Sequence, residues 1–282
     1  LFDATLLMTQ RGYHHLPVVE GGRLAGMITT SDLILARQND PVYLVQHISR
    51  QDSAEGIRTL LTGMPALVVQ WSQSGMHAHQ VSRVLTAISD AVTVRLIQLA
   101  EAELGPASAA WCWVGFGSQA RAERLFGADQ DNGMIFADET QPEHAGWFAD
   151  LARRVCDGLQ LCGYPYCRGE IMATTDSWRQ PLHRWQDTVR GWTTTPSPAA
   201  VMRVSIFFDL RPIYGEENLC ERLQEVMLQE ASGNSIFLAA LAANALESRP
   251  PLGMFRRFVV ERNGEHRDAV DVKKRGVLPI TE

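Results

Sequence analysis

The sequence predicts an α+β protein, with a mixed sheet and helices gathered in separate runs. Three observations carry that prediction. The unbroken apolar run AAWCWVGFG, residues 109–117, reads as a buried strand. Between His77 and Leu104, the apolar residues Val81, Val84, Leu85, Ile88, Val92, Leu96 and Leu99 recur three or four apart, one face of a long amphipathic helix. The chain has 282 residues and is 45% hydrophobic, which allows a sizeable core and suggests about two domains.

Taken in order, HHLPVVEGG reads as a short strand ending in a Gly-Gly turn, and RLAGMITTSDLILAR as a second strand and then a helix. Ser31 or Asp32 is placed to cap the free backbone donors of that helix. This strand–turn–strand–helix piece is too small to bury its own apolar face, so further chain is expected before Leu1. QDSAEGIRTLLTGMPALVVQW predicts one or two short helices ahead of the long one, which Gly105–Pro106 ends. After the buried strand, SQARAERLFG predicts a short helix and DNGMIFAD a second strand. EHAGWFADLARRVCDGLQLCG predicts a helix with Trp147, Leu151, Val155 and Leu159 on one face and Gly163 as its stop. SPAAVMRVSIFFDLRPIYG predicts a short helix and then a strand carrying Asp209. The rest is mainly helical to about Glu247, then basic and irregular, and its uncapped end leads us to expect a continuation past Glu282. The expected regions are 1–48, 49–106, 107–215 and 216–282.

Composition removes several classes. A net charge of −6 with interspersed signs argues against general nucleic-acid binding, which needs a basic face. No apolar stretch reaches the ~18 residues of a membrane span, and no basic-then-apolar leader pattern is read, so a cytoplasmic protein is expected. The five cysteines are odd in number and scattered, which predicts small buried hydrophobes in a reducing compartment, not a disulfide framework. Trp178, Trp185 and Trp192, seven apart, mark one packed helix face. His14–His15 in a turn point apart and make a poor metal site, and the basic stretch from Lys273 to Arg275 reads as a solvated turn.

The chemistry concentrates in GFGSQARAERLFGADQDNGMIF, residues 115–136. Gly115 and Gly117 allow a tight strand-to-helix turn. Ser118 then stands at a helix N-terminus, where free N–H groups and the helix dipole favour phosphate; a simple N-cap would look the same. Asp129 and Asp131, two apart on a strand, project to one face, where their repulsion becomes attraction if a divalent cation lies between them. A solvated strand start is the alternative. Asp209 in an apolar strand is costly unless paired with nearby Arg211 or bound to metal. If its strand lies beside the one carrying Asp129 and Asp131, three carboxylates converge on a site able to clamp an in-line displacement.

These residues resemble the catalytic signature of the nucleotidyltransferase superfamily, in which Gly-Ser opens the nucleotide-binding helix and Asp-x-Asp follows on the next strand. The chain is most similar to nucleotidyltransferases fused to cystathionine-β-synthase (CBS) domains, relatives of the protein uridylyltransferases and glutamine-synthetase adenylyltransferases. CGYPYCRGEIMATTDSWRQPLHRW, FFDLRPIYG and GMFRRFVVERNGEHRDAVDVKKRGVLP resemble further signatures of that group. GYHHLPVVEGGRLAGMITTSDLI resembles the later half of a CBS domain. The fold then implied is a partial CBS domain, a helical connector, a nucleotidyltransferase mixed sheet and a C-terminal helical domain, together a piece of a longer protein.

The resemblance implies that Asp129, Asp131 and Asp209 bind magnesium, with manganese as the alternative, and that Asp209 serves as general base. Gly117, Ser118 and Arg121 would hold the phosphates of ATP or UTP. It implies transfer of a nucleoside monophosphate to a protein or small-molecule acceptor, in signal transduction under CBS control. Thr29 and Asp32 would meet an adenine nucleotide, or stand in a remnant that binds none. Two other readings stay open: a catalytically silent nucleotide-binding module, and a homodimerisation module built on the long helix.

Overall fold

The computed structural model describes residues 2–33, 41–140, 144–194 and 206–247. The chain divides into two compact units, Leu1–Gly105 with Ala122–Asp129 and Arg154–Tyr166, and Pro106–Arg121 with Gln130–Arg153 and Cys167–Glu282. The fold is α+β with a mixed sheet, as the sequence predicts.

The first unit opens with helix α1 (Phe2–Arg11), which no sequence pattern had singled out. Strands β1 (His15–Glu20) and β2 (Arg23–Thr29) then form an antiparallel hairpin. Gly21 and Gly22 turn it with φ of 57° and 77°, left-handed values that match a tight two-residue turn to the twist of the strands. Val19 and Leu24 of this hairpin are 59% and 67% exposed, so the piece does not bury its own apolar face. Residues 30–33 are helical. The cap differs from the expected Ser31 or Asp32. The Thr29 hydroxyl accepts from the Asp32 N–H at 3.2 Å, and the Asp32 carboxylate accepts from the Thr29 N–H at 2.7 Å. This is a reciprocal capping box, with the hydroxyl residue first and the acid three later. The hydrogen bonds from Thr29 hold the Asp32 carboxyl below its ordinary range.

Helices α2 (Pro41–Ile48), α3 (Ala54–Leu61), α4 (Met64–Gln73) and α5 (Ala78–Leu104) follow among the described residues of that unit. Ser53 caps α3 by accepting from the Gly56 N–H at 3.2 Å. The glycine at 105, with φ of 78°, ends α5. Of the predicted stripe on α5, Val81, Leu85, Ile88, Val92 and Leu96 are buried. Thr86, Ser89 and Thr93 are buried too, so the covered face is wider than the apolar stripe. Buried hydroxyls are tolerated because Thr86 and Thr93 donate to the carbonyls of Ser82 and Ser89, each at 2.9 Å.

In the second unit, strand β3 (Trp111–Phe116) is buried at every residue and runs into helix α6 (Gly117–Ala120). Strand β4 (Asn132–Phe136), helix α7 (Ala145–Leu161), strand β5 (Arg179–Pro181) and helix α8 (Leu182–Thr194) come next. Strand β6 (Leu210–Gly215) and helices α9 (Glu217–Ser232) and α10 (Ser235–Glu247) complete the described chain. Residues 154–161 of α7 count with the first unit, where the bare Cα of Gly158 lets Leu96 of α5 approach; a Cβ there would meet Leu96 at 2.7 Å.

The sheet order is β5-β4-β3-β6, with β3 antiparallel to both neighbours and β4 parallel to β5. Alternation sends Cys112, Val114 and Phe116 to one face, where they join a core with residues of α8 and α9. The three tryptophans meet there, Trp178 lying 5.7 Å from Trp185 and 6.4 Å from Trp192, ring to ring. Trp185 and Trp192 share α8 as expected; Trp178 sits just before it, in a short 3-10 turn (Asp176–Trp178). Phe207 fills the space between them, 4.4 Å from Trp178 and 5.2 Å from Trp192. Of the short helix expected within SPAAVMRVSIFFDLRPIYG, residues 206–207 are described and helical; the rest of it and the basic segment beyond 247 lie outside the described residues.

Candidate functional site

The site grows from the end of β3. The chain leaves this strand through Gly117, whose φ of 52° is left-handed and favours glycine. Gly115, two residues earlier, lacks the Cβ that would sit 2.9 Å from Ile213. Gly117 thus makes the turn, whereas Gly115 lies within β3 and leaves room for the Ile213 side chain. The helix that follows is shorter than SQARAERLFG suggested. It ends at Ala120, and Ala122 takes a left-handed φ of 57°. A four-residue helix has little dipole, so phosphate affinity here would rest on the N–H groups and hydroxyl of the turn.

Two consecutive amides at this turn gather the aspartates. The Phe116 N–H donates to the Asp131 carbonyl at 3.0 Å, and the Gly117 N–H donates to the Asp209 carbonyl at 3.0 Å. The strand order explains the arrangement. The sequence left open whether the strand carrying Asp209 lies beside the one carrying Asp129 and Asp131; in the sheet, β3 lies between β4 and β6. Asp131 and Asp209 thus flank the end of β3 from opposite sides. Neither aspartate is within its strand. Asp129 and Asp131 lie in the irregular segment before β4, and Asp209 lies in a bend immediately before β6. Irregular backbone suits such residues better than a strand does, because carboxylates inside β4 would replace buried positions.

The Asp209 carboxylate is ion-paired with the Arg121 guanidinium, 88 residues away along the chain and partly buried. Arg211, the partner considered from sequence, donates from its guanidinium to the Gln119 carbonyl at 3.1 Å. Ser118 stands between Gly117 and Gln119 in α6. Asp129 closes the segment 122–129 of the first unit, where the Arg124 guanidinium donates to its carbonyl at 2.9 Å. Thr29 and Asp32 also belong to the first unit, and their side chains bond each other at 2.8 Å.

Sequence reasoning took Cys167 for a small buried hydrophobe and missed its place beside Asp131. Its sulfur and an Asp131 carboxylate oxygen lie within 4.8 Å of each other. Burial, reinforced by the charge of Asp131, pushes the thiol up to about 11, so a protonated sulfur donates to the carboxylate. Nothing in the sequence spacing signals this contact. Asn132 was missed as well: its side-chain oxygen accepts from the Ala173 N–H at 2.9 Å, and its own N–H donates to the Ile171 carbonyl at 3.2 Å, pinning the residue beside Asp131. The donors before β4 are carboxylate oxygens, which suit a hard divalent cation. The neighbouring sulfur, held protonated, does not turn them into a soft-metal site.

Residues 62–199 match the family described as "Putative nucleotidyltransferase DUF294". Residues 235–282 match "Putative nucleotidyltransferase substrate binding domain", and residues 1–39 match "CBS domain". The chain belongs to the CBS-containing nucleotidyltransferases of this family. No curated protein matches the chain. The nucleotidyltransferase assignment implies a nucleoside triphosphate substrate, and CBS domains as a class bind adenine nucleotides. The match to residues 62–199 contains the β3–α6 turn, Asp129 and Asp131, whereas Asp209 falls between the two nucleotidyltransferase matches. The CBS match contains the hairpin and the Thr29–Asp32 capping box. Among the described residues of this nucleotidyltransferase, no helix is long and apolar enough to cross a membrane.

Proposed function

We propose that this nucleotidyltransferase moves a nucleoside monophosphate from ATP or UTP to a protein or small-molecule acceptor, in the manner of a protein-PII uridylyltransferase, under control of its CBS domain in signal transduction. The observation that carries the reading is the pair of consecutive amides at Phe116 and Gly117, which hold Asp131 and Asp209 on either side of the Gly-Ser turn. That grouping unites residues far apart in sequence at the end of one buried strand, where a polar site can sit on a rigid support.

Asp129 and Asp131 would hold a divalent ion, magnesium or manganese, which when bound neutralises charge on the triphosphate. The backbone N–H groups after Gly117, whose own amide holds the Asp209 carbonyl, and the Ser118 hydroxyl would orient the terminal phosphates. Asp209 would accept the acceptor's proton as its oxygen attacks the α-phosphorus. The new bond is oxygen to α-phosphorus, the bond to the bridging oxygen breaks, and pyrophosphate leaves. Arg121 is within reach of Asp209 and would steady charge on the departing phosphates. Thr29 and Asp32 would contact an adenine nucleotide at the CBS unit. The five cysteines, all free and buried, support a reducing, cytoplasmic setting.

A second reading is a nucleotide-binding regulator without turnover, and one observation favours it: Asp209 is already engaged by Arg121. Transfer of α-labelled nucleotide from ATP and UTP, with magnesium and a panel of acceptors, separates the two. The enzyme reading predicts label on an acceptor with matching pyrophosphate release, both lost in an Asp129→Asn/Asp131→Asn double variant. Saturable nucleotide binding with no pyrophosphate from any acceptor would support the regulator instead.

A further inference from the structure

The first unit contains a cavity of about 280 Å³ that the proposed chemistry does not use. Its apolar lining includes Leu61 of α3, Met64 of α4, Leu85 of α5 and Leu161 of α7. The segment 122–129 supplies another side of it, through Arg124, Leu125, Phe126 and Gly127. Leu125 and Phe126 are 47% and 54% exposed, which leaves large apolar groups in water beside an apolar hollow. The charged side chains lining it are both arginines, Arg58 and Arg124.

Arg124 connects this cavity to the loop's far end. It is 3% exposed, and its guanidinium lies 4.9 Å from the Tyr164 ring centre. The same guanidinium donates to the carbonyls of Ala128 at 3.1 Å and Asp129 at 2.9 Å. The Arg124 N–H donates to the Thr86 hydroxyl of α5 at 3.3 Å. One buried side chain thus lines the cavity and also fixes the backbone of Asp129.

We propose that this cavity binds a small anion with an apolar body, a medium-chain carboxylate in chemical class, and that occupancy restrains the 122–129 loop and with it Asp129. The volume falls just below the ~300 Å³ at which common small-molecule pockets begin, so the ligand is smaller than a nucleotide. An apolar tail covers Leu61, Met64, Leu85 and Phe126, and the carboxylate meets the exposed Arg58 at the mouth. A consequence for activity rests on the role proposed above for Asp129; the binding itself does not.

The test uses octanoate as the probe and the full 282-residue chain. Calorimetry is expected to show saturable one-to-one binding, with octanol at least about tenfold weaker and Arg58→Gln also about tenfold weaker. Thr62→Trp, at an exposed position on the rim, is expected to abolish binding by filling the mouth. Amide hydrogen exchange across 122–129 is expected to slow at least about threefold with octanoate in the parent chain and not in Thr62→Trp. Should Thr62→Trp fail to fold, judged by its melting curve, Arg58→Gln and the octanol comparison decide alone. Absence of binding up to ~10 mM, or binding indifferent to the carboxylate and to Arg58, overturns the site. Binding that leaves exchange of 122–129 unchanged overturns the restraint on the loop. None of these readouts needs nucleotidyl transfer, so failure here and failure of the proposed activity are distinguishable.

Discussion

Asp131→Asn is expected to lower kcat/KM for nucleotidyl transfer by about 10³-fold or more, roughly 4 kcal/mol of transition-state stabilisation. Asparagine has nearly the same shape, but its neutral oxygen is a poor ligand for a divalent ion. The Asp131 carbonyl that the Phe116 N–H holds is backbone and survives the change. The thiol of Cys167 still finds an oxygen acceptor on the asparagine. Stability is therefore expected to stay within about 1 kcal/mol of the parent, checked by denaturant melts. The loss then belongs to chemistry. The magnesium concentration for half-maximal activity is expected to rise, and excess metal to restore part of the rate. A variant as active as the parent, at the same magnesium requirement, removes Asp131 from the site.

The second large effect concerns Asp209 and its partner. General-base groups contribute about 10²–10⁴-fold, so Asp209→Asn is expected to reduce kcat by about 10²-fold or more with little change in KM for the nucleotide. Arg121→Gln is expected to act differently, raising KM for the nucleotide by about tenfold with a smaller fall in kcat, because its charge is assigned to phosphate. These two residues form an ion pair, so a purely structural role predicts something else. Each single variant, and the double variant, would then lose the same stability and the same activity. A double-mutant cycle on kcat and KM separates the two accounts. Distinct single phenotypes support catalysis by Asp209 and binding by Arg121, whereas identical ones reduce the pair to scaffolding.

Much of this arrangement was legible in the sequence because it rests on local rules. The six-residue run of buried side chains in β3, the stop of α5 at Gly105 and the tight turn at Gly117 each follow from residue type and period alone. The grouping of Asp131 with Asp209 was foreseen as a possibility and is realised by a different geometry. Sequence cannot choose strand order, because a strand of given pattern pairs equally well with either neighbour. Placing β3 at the centre sets the two aspartates on opposite flanks instead of side by side. The helix after Gly117 was read too long because ERLFG carries helical propensity. Tertiary bonds override that propensity: Arg121 turns toward Asp209, and the Arg124 backbone N–H donates to the Thr86 hydroxyl. The contact of Cys167 with Asp131 and the cavity beside Arg124 were invisible for the same reason. Each joins segments whose proximity is fixed only by packing.

In the proposed reaction, Asp129 and Asp131 hold a divalent cation for a nucleotide bound at the Gly117–Ser118 turn. The decisive experiment is a crystal of the protein soaked with magnesium and a non-hydrolysable ATP or UTP analogue. Metal density is expected on the carboxylates of Asp129 and Asp131 and on phosphate oxygens, with those phosphates against the N–H groups that follow Gly117. Nucleotide bound elsewhere, or phosphates at the turn with no metal on either aspartate, would contradict it.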